Sequence, residues 1–408
     1  MITLQQNCKF TKTEFEKLSV DQRQKYPFYC PDEFPYFCGR NSSSFGLCKK
    51  SLEDCEKVEK EGVIPIIATN YNNTGLQFGY HTENLHKRCN YLVLNRHQEF
   101  PNINFEIPMI LSIMTYNIWG MFSKNEFERN LLKKRLCMIA NIVIQNNPDI
   151  ICFQEMSIYS FIFLKYKLSH LYKYQYEKNY EMSWNINRHR KVETIIFSKF
   201  PVMNYQVYSL EGNLNYSNSF IRAEFNDIVL YNVYLQAGSK YSPGQELFWF
   251  HYTRCRIDQL KKIKELIDKE TKPVICCGDF NFHLDGGKDW LEYKEIQNYF
   301  KDSFREISNA EGFTENTEIN TMRWNVKFQE KKVRYDGILY KENSLKPFYS
   351  KLVGKNYYAL DEKSSKKFKD CFGKGKENLI KTNADKIHIF PSDHFGVLTK
   401  FFFQKYLK

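Results

Sequence analysis

An α/β fold follows from three features of this 408-residue chain. From Met109 onward, short apolar runs of strand length alternate with an amphipathic stretch and with helix-start signals. Gly and Pro punctuate the boundaries. Polar and charged residues stand at the ends of the apolar runs, where a core would not select them. Hydrophobic content of 42% without long charge blocks indicates a globular chain long enough for two domains. No apolar run reaches bilayer length, and Met1 to Phe10 lacks a charged segment followed by an apolar core. A cytoplasmic or virion-associated protein without signal peptide or transmembrane segment is therefore expected.

Residues 1–92 read as a separate module. Six of the twelve cysteines fall there. Cys30, Cys38, Cys48 and Cys55 punctuate a segment rich in Pro, Phe and Tyr, and Cys8 and Cys89 would make a third pair. The density suggests disulfides in a segment too small to bury much core. Zinc competes, although no C-x-x-C occurs and His81 and His86 lack ligand spacing; unpaired thiols remain open. The module's partner is unknown. Val93 to Pro108 reads as a linker broken by Pro101 and Pro108.

Residues 109–408 form the second domain. MILSIMTYN (109–117) is a strand. Asn125 to Gln145 is an amphipathic helix with Leu132, Leu136, Ile139 and Val143 on one face. DIICFQ is a buried strand, and TIIFS (194–198), VYSL (207–210) and IVLYNVYL (228–235) continue the sheet signal. Ser242-Pro243-Gly244-Gln245 is a helix start with Ser as N-cap and Gln closing the capping box, and that helix extends to about Lys269. KPVICCGDFNFHLD (272–285) is the central stretch, a short strand that Gly278 turns sharply so that Asp279, Asn281 and His283 emerge at its end. A helix near Trp290 to Tyr299 and strands at Val333 to Tyr340 and Phe395 to Phe403 complete the order, with 368–386 a surface loop. Outside residues 1–89, cysteines in apolar segments, Cys255 among them, read as reduced core residues.

Charge is uneven. Residues 1–108 carry 13 basic and 13 acidic side chains, so the whole net charge of +12 belongs to the remainder. That favours a polyanionic substrate or an anionic membrane surface, or reflects ordinary solubility charge in a Lys-rich composition.

Five strand ends share one chemistry. Asn117 closes TYN, Glu155 follows PDIICFQ, Asp279 and Asn281 stand in GDFN, Asp336 lies in RYDGILY, and Asp393 with His394 opens the last strand in SDHFGV. Each alone has an ordinary explanation as a strand cap, a turn or a satisfied histidine. Together they compose metal-assisted phosphodiester hydrolysis. Glu155, Asn117 and Asp393 are a set for Mg²⁺, with Mn²⁺ as an alternative. Asp279 would activate water and Asn281 would donate to developing oxyanion charge. His394 beside Asp336 would be fixed in one tautomer.

The ordered motifs TYNIWG, PDIICFQE, SKFPV, NVYLQ, GDFN, RYDGILY and SDHFGV resemble the endonuclease/exonuclease/phosphatase superfamily over roughly residues 109–405. That resemblance implies a DNase I-like four-layer sandwich of two mixed β-sheets flanked by helices. It also implies the same metal, nucleophile and His394–Asp336 roles. Within the superfamily, N-x-W-G, GDFNFH, Asn320-Thr321-Met322 and YDGILYK are similar to neutral sphingomyelinases. Tyr234 departs from that branch, where N-x-H-L carries His, and looks like abasic-site endonucleases in which a phenol contacts phosphate. Trp119 in turn departs from those nucleases, which carry Asp at that place, and Glu193 stands where Gly is common. The resemblance therefore implies hydrolysis of a choline phospholipid such as sphingomyelin first. A nucleic acid comes second, and a non-catalytic binding protein on an inherited scaffold third.

Overall fold

In a computed structural model the chain is described at residues 36–38, 47–49, 92–99, 108–121, 125–177, 192–210, 219–238, 246–323, 330–341, 344–372 and 387–403. Its centre is two β-sheets lying face to face. In chain order the strands are β1 (Leu92–Glu99), β2 (Ile110–Gly120), β3 (Ile150–Ser157), β4 (Tyr174–Tyr176), β5 (Val192–Ser198), β6 (Asn204–Leu210) and β7 (Ser219–Glu224). They continue as β8 (Val229–Tyr234), β9 (Val274–Asp279), β10 (Lys301–Asp302), β11 (Asp336–Tyr340), β12 (Leu345–Val353) and β13 (Gly396–Phe403). One sheet runs β12-β13-β2-β3-β5-β4 and the other β10-β11-β9-β8-β7-β6-β1. Both are mixed: β2–β3 and β8–β9 are parallel, and the other described pairings in these two sheets are antiparallel.

The central strands are apolar on both faces because both faces are covered. Along β2, Leu111 and Ile113 enter the core between the sheets, whereas Met114 and Tyr116 belong to the outer core. Leu230 and Ile275 face inward from the second sheet, and Tyr231 and Cys276 face outward. Helices α1 (Glu126–Asn146) and α2 (Ile158–Leu168) cover the first sheet. Helix α3 (Glu246–Ile267) covers the second through Leu260, Ile263 and Ile267. Asn125 caps α1, its side-chain oxygen accepting from the amides of Phe127 and Glu128, with Glu126 and Glu128 in the positive first turn. The helix ends where Asn147 turns left-handed at φ 44° and its N–H returns to the Val143 carbonyl. Four layers result, as the motif order implies.

Several expectations are corrected. Leu92–Glu99 falls across the expected module–linker boundary but is an edge strand, its backbone pairing antiparallel with β6. The helix expected at 290–299 shrinks to a 3₁₀ turn at Gly287–Asp289 and one helical turn at Tyr293–Ile296. The strand expected at 333–340 is split: Lys332–Val333 pairs with Glu315–Asn316, and β11 begins at Asp336 itself. The expected loop from Phe368 is helical up to Phe372, within α4 (Glu362–Phe372). Cys255, read as reduced, is buried and disulfide-bonded, whereas Cys137, Cys152, Cys276 and Cys277 are free. The six cysteines of residues 1–89, the Ser242 helix start and Glu193's side chain lie outside the described residues and side chains.

Candidate active site

The site lies where one end of each sheet opens. At the end of β2 the parallel register with β3 breaks between Asn117 and Gly120. Trp119 and Glu155 both take left-handed backbone there, at φ 46° and 52°. Such a conformation is costly for side chains of this size and persists only where surroundings enforce it. Two enforcers are visible. A Cβ on Gly120 would stand 2.7 Å from the Glu155 carbonyl oxygen, so only glycine allows the two chains to approach. Arg135 of α1, fully buried, donates to the carbonyls of Ile118 (2.7 Å), Trp119 (3.2 Å) and Pro391 (2.9 Å) and stacks against the Trp119 ring. Burial lowers the Arg135 pKa, with Asp393 the leading charge opposing that effect.

In the second sheet the cross-strand register does the positioning. Tyr234, Asp279 and Asp336 lie directly opposite one another on β8, β9 and β11. Gly278 precedes Asp279 at φ 146°, and a Cβ there would lie 1.9 Å from the Val233 carbonyl oxygen. Beyond the strand Asn281 is again left-handed at φ 55°. Its amide N–H donates to Asp279 Oδ1 at 2.8 Å, while its side-chain Nδ2 donates to the Leu235 carbonyl at 3.0 Å.

Three hydrogen bonds then join the two sheets across this end. Asn117 Nδ2 donates to Asp279 Oδ2 (2.9 Å) and, more weakly, to Glu155 Oε1 (3.3 Å). The Tyr234 hydroxyl donates to Glu155 Oε1 at 2.8 Å. His394 Nδ1 lies 2.8 Å from Asp336 Oδ2. Asp336 is oriented by its backbone: its N–H and that of Tyr335 both donate to Thr314 Oγ1. The turn before β13 is held by Asn320, which donates to the Ser392 carbonyl, and by the Ser392 hydroxyl, which accepts from the His394 N–H.

The charges are strained electrostatically. Asp279, 1% exposed, has its pKa pushed up to about 8 by burial first and by Asp336 second. Burial and then Asp393 raise Glu155. Burial opposes protonation of His394, yet Asp336, Asp393 and Asp279 together raise it well above an ordinary histidine. This cluster of under-compensated carboxylates suits a cation. Asp279, Asp336 and His394 also bring ligand atoms within 4.8 Å of one another. Asp336 Oδ1 is buried without a hydrogen-bond partner. Asn117 sits inside the expected Mg²⁺ set but acts as a bridge between Asp279 and Glu155, its Oδ1 accepting from the Trp119 N–H at 3.0 Å.

All eight residues singled out from the motifs are at this end. His283 is not among them; it packs against Trp290 and Phe313. The sequence reading missed Arg135, Thr314, Glu315, Arg323, Lys331 and Ser392. Arg135 had a signal, a charge on the buried stripe between Leu132 and Leu136. Ser392 stood inside the SDHFGV motif without being singled out, and the other four gave no local signal; Thr314, Glu315 and Lys331 lie in or beside the ribbon of Glu315–Asn316 and Lys332–Val333.

The Endonuclease/Exonuclease/phosphatase family profile matches residues 114–394, more than half of the chain. The chain belongs to this family. No curated protein sequence matches it significantly. Among solved structures, the beta toxin 275-280 from Staphylococcus aureus is similar at 14% identity and TM-score 0.50, covering 71% of this chain and 99% of that one. A truncated TDP2 from Caenorhabditis elegans has 20% identity and TM-score 0.49 over 72% and 98% of the two chains. The mannosyl-6-phosphatase Bt3783 of Bacteroides thetaiotaomicron has 15% identity and TM-score 0.49 over 72% and 100%. The likeness to the beta toxin speaks to fold alone. Family membership makes this chain part of a hydrolytic group that acts mostly on phosphoesters, typically with a divalent metal.

Proposed function

We propose that this protein is a Mg²⁺-dependent phosphodiester hydrolase. The observation that carries the reading is the trio of cross-sheet bonds, which brings a His–Asp pair beside two further carboxylates raised in pKa. Asp336 holds Nδ1 of His394, so Nε2 faces the site, where it has no hydrogen bond to the described residues. As an imidazolium it stabilises negative charge on the phosphoryl group or protonates the leaving oxygen. Asp279 is the group to accept a proton from the attacking water. Its raised pKa makes it a stronger base than an ordinary carboxylate once ionised. Asn281 and Asn117 fix its two oxygens. Glu155 and Asp393 fit Mg²⁺ by donor type, and the raised pKa values of Glu155 and Asp279, due first to burial and then to a neighbouring carboxylate, support a site that a cation would complement. A bound Mg²⁺ would supply Lewis acidity toward the phosphoryl oxygens.

The substrate reading keeps a choline phospholipid first. The sphingomyelinase-like motifs support it, and so do Met121 and Ile319, apolar side chains 43% and 47% exposed that flank the Trp119 and Asn320 segments of the site. A nucleic acid is second. Its support is Tyr234, although that phenol is engaged with Glu155.

The test is cleavage by purified protein of sphingomyelin vesicles and of abasic-site or single-stranded DNA, with Mg²⁺ and with EDTA. Turnover is expected with Mg²⁺ alone. His394→Ala should lower it by on the order of 10²–10⁴-fold with the fold retained. Activity equal to wild type in that variant, or no phosphodiester cleaved under any condition, would overturn the assignment. Release of choline phosphate without nicking favours the lipid, and the converse favours DNA.

A further inference from the structure

Beside the catalytic set lies a second charged group that the hydrolytic roles do not use. Glu315 and Lys331 form an ion pair at 3.2 Å, each side chain only 2% exposed. Arg323 joins it. Its Nε is 3.1 Å from Glu315 Oε1 and its Nη1 donates to Asp393 Oδ2 at 3.3 Å. The Arg323 side chain is 24% exposed, the one member of this trio that reaches the opening. The ribbon of Glu315–Asn316 and Lys332–Val333 builds the group, and Thr314 of the same segment holds Asp336.

Burying three charges is costly unless geometry and hydrogen bonds compensate them, and here the compensation is partial. Glu315 Oε1 and Arg323 Nε approach to ion-pair distance without hydrogen-bond alignment, and both are buried with no other partner. Glu315 divides its charge between Lys331 and Arg323. Asp393 is the other carboxylate on Arg323. Two cations thus face two carboxylates, and the guanidinium is the one of these two cations with an edge left toward the mouth of the site. Arg323 Nη2 donates to no described residue.

We propose that Arg323 is the phosphate-binding residue of this site, donating from its guanidinium edge to a non-bridging phosphoryl oxygen, with Glu315 and Lys331 as the buried pair that holds it there. A planar guanidinium suits that oxygen through directed, charge-assisted hydrogen bonds. Asp393 and Glu315 keep the group aimed before substrate arrives, so less ordering is needed on binding. The inference rests on the phosphodiesterase reading for its substrate, while the anion site itself does not require turnover.

The experiment measures inorganic phosphate binding by calorimetry, with Mg²⁺ and with EDTA, in wild type, Arg323→Gln and Arg323→Lys. Circular dichroism melting serves as the fold control. In parallel, kcat and KM are measured on bis(4-nitrophenyl) phosphate. Wild type should bind phosphate under both conditions. Arg323→Gln should weaken it at least about tenfold and raise KM, and Arg323→Lys should weaken it by roughly threefold because the charge is kept and the planar donor set is lost. Should Arg323→Gln not fold, the lysine variant carries the comparison. Phosphate affinity and KM unchanged in the folded variants, or no phosphate binding by wild type, would overturn the proposal. Arg323-dependent phosphate binding in a protein that cleaves no diester would sink the hydrolase assignment and leave the anion site standing. Normal turnover indifferent to Arg323 would do the reverse.

Discussion

The two sheets meet in two different ways, and the contrast explains where chemistry resides. Through the middle of the sandwich they meet as apolar surfaces, Ile113, Ile221, Leu230, Ile275 and Ile338 among them. The polar links there are neutral and satisfied. Gln154 Nε2 donates to Asn232 Oδ1 at 2.7 Å, and Asn232 Nδ2 donates to the carbonyls of Phe153 and Ile195. At the open end the same two sheets meet through Asn117–Asp279, Tyr234–Glu155 and His394–Asp336. Those links are charged, short of compensation and attached to left-handed backbone at Trp119, Glu155 and Asn281. The interior holds the sheets together. The rim uses that rigidity to keep carboxylates closer together than they would choose.

Substitutions can break either half of that contrast. The largest stability effect is expected at Gly278, the residue that allows β9 to reach the rim. Gly278→Ala sets a Cβ 1.9 Å from the Val233 carbonyl oxygen and should cost at least ~3 kcal/mol in urea denaturation. A loss under ~1 kcal/mol would mean that the β8–β9 pairing yields easily. Next comes the neutral link. Asn232→Leu removes one of three acceptors around the Gln154 amide and the donor to the Phe153 and Ile195 carbonyls, and should destabilise by roughly 1–3 kcal/mol while leaving KM near wild type. Equal damage to catalysis would show that interior and rim are not separable.

Tyr234→Phe tests the opposite case. It removes the 2.8 Å hydroxyl bond to Glu155 and should reduce kcat/KM about tenfold with little change in melting temperature. A variant as active as wild type would make the phenol a passive occupant. The last effect is in pH dependence and is read as a slope. The folded protein holds a proton on Asp279 that the unfolded chain releases above an ordinary aspartate pKa, so stability should fall as pH rises toward about 8. His394 acts in the same direction above its ordinary value, since its folded pKa is raised too. Each proton contributes a slope of at most about 1.4 kcal/mol per pH unit. Asp279→Asn should flatten the lower part of that slope, and an unchanged profile in metal-free buffer would remove Asp279 as its source.

Most central strands and the place of the eight residues at or beside strand ends were legible because apolar runs and their polar ends are local features, whereas Tyr174–Tyr176, Ser219–Glu224 and Leu345–Val353 went unread. Asn117, Glu155, Asp279, Asp336 and His394 each interrupt such a run where burial would otherwise forbid them. The failures also have local causes. Leu92–Glu99 pairs only at a sheet edge, so its polar residues hid it among linker signals. The interruption at Arg334–Tyr335 between Val333 and Asp336 depends on pairing with Glu315–Asn316, a segment without strand character of its own.

What the sequence determined by itself, then, is which residues stand at strand ends and that their chemistry suits a phosphoester. Periodicity and residue type are enough for that. Only the tertiary structure decided which of them touch. Asp279 shares a proton donor with Glu155 across 162 residues of separation to Asn117 at its widest, and Asp336 meets His394 across 58. Arg323 owes its place beside Asp393 to a ribbon that no local pattern announces. Contacts of that range depend on how two sheets stack and register, and that is a property of the packed chain rather than of any segment within it.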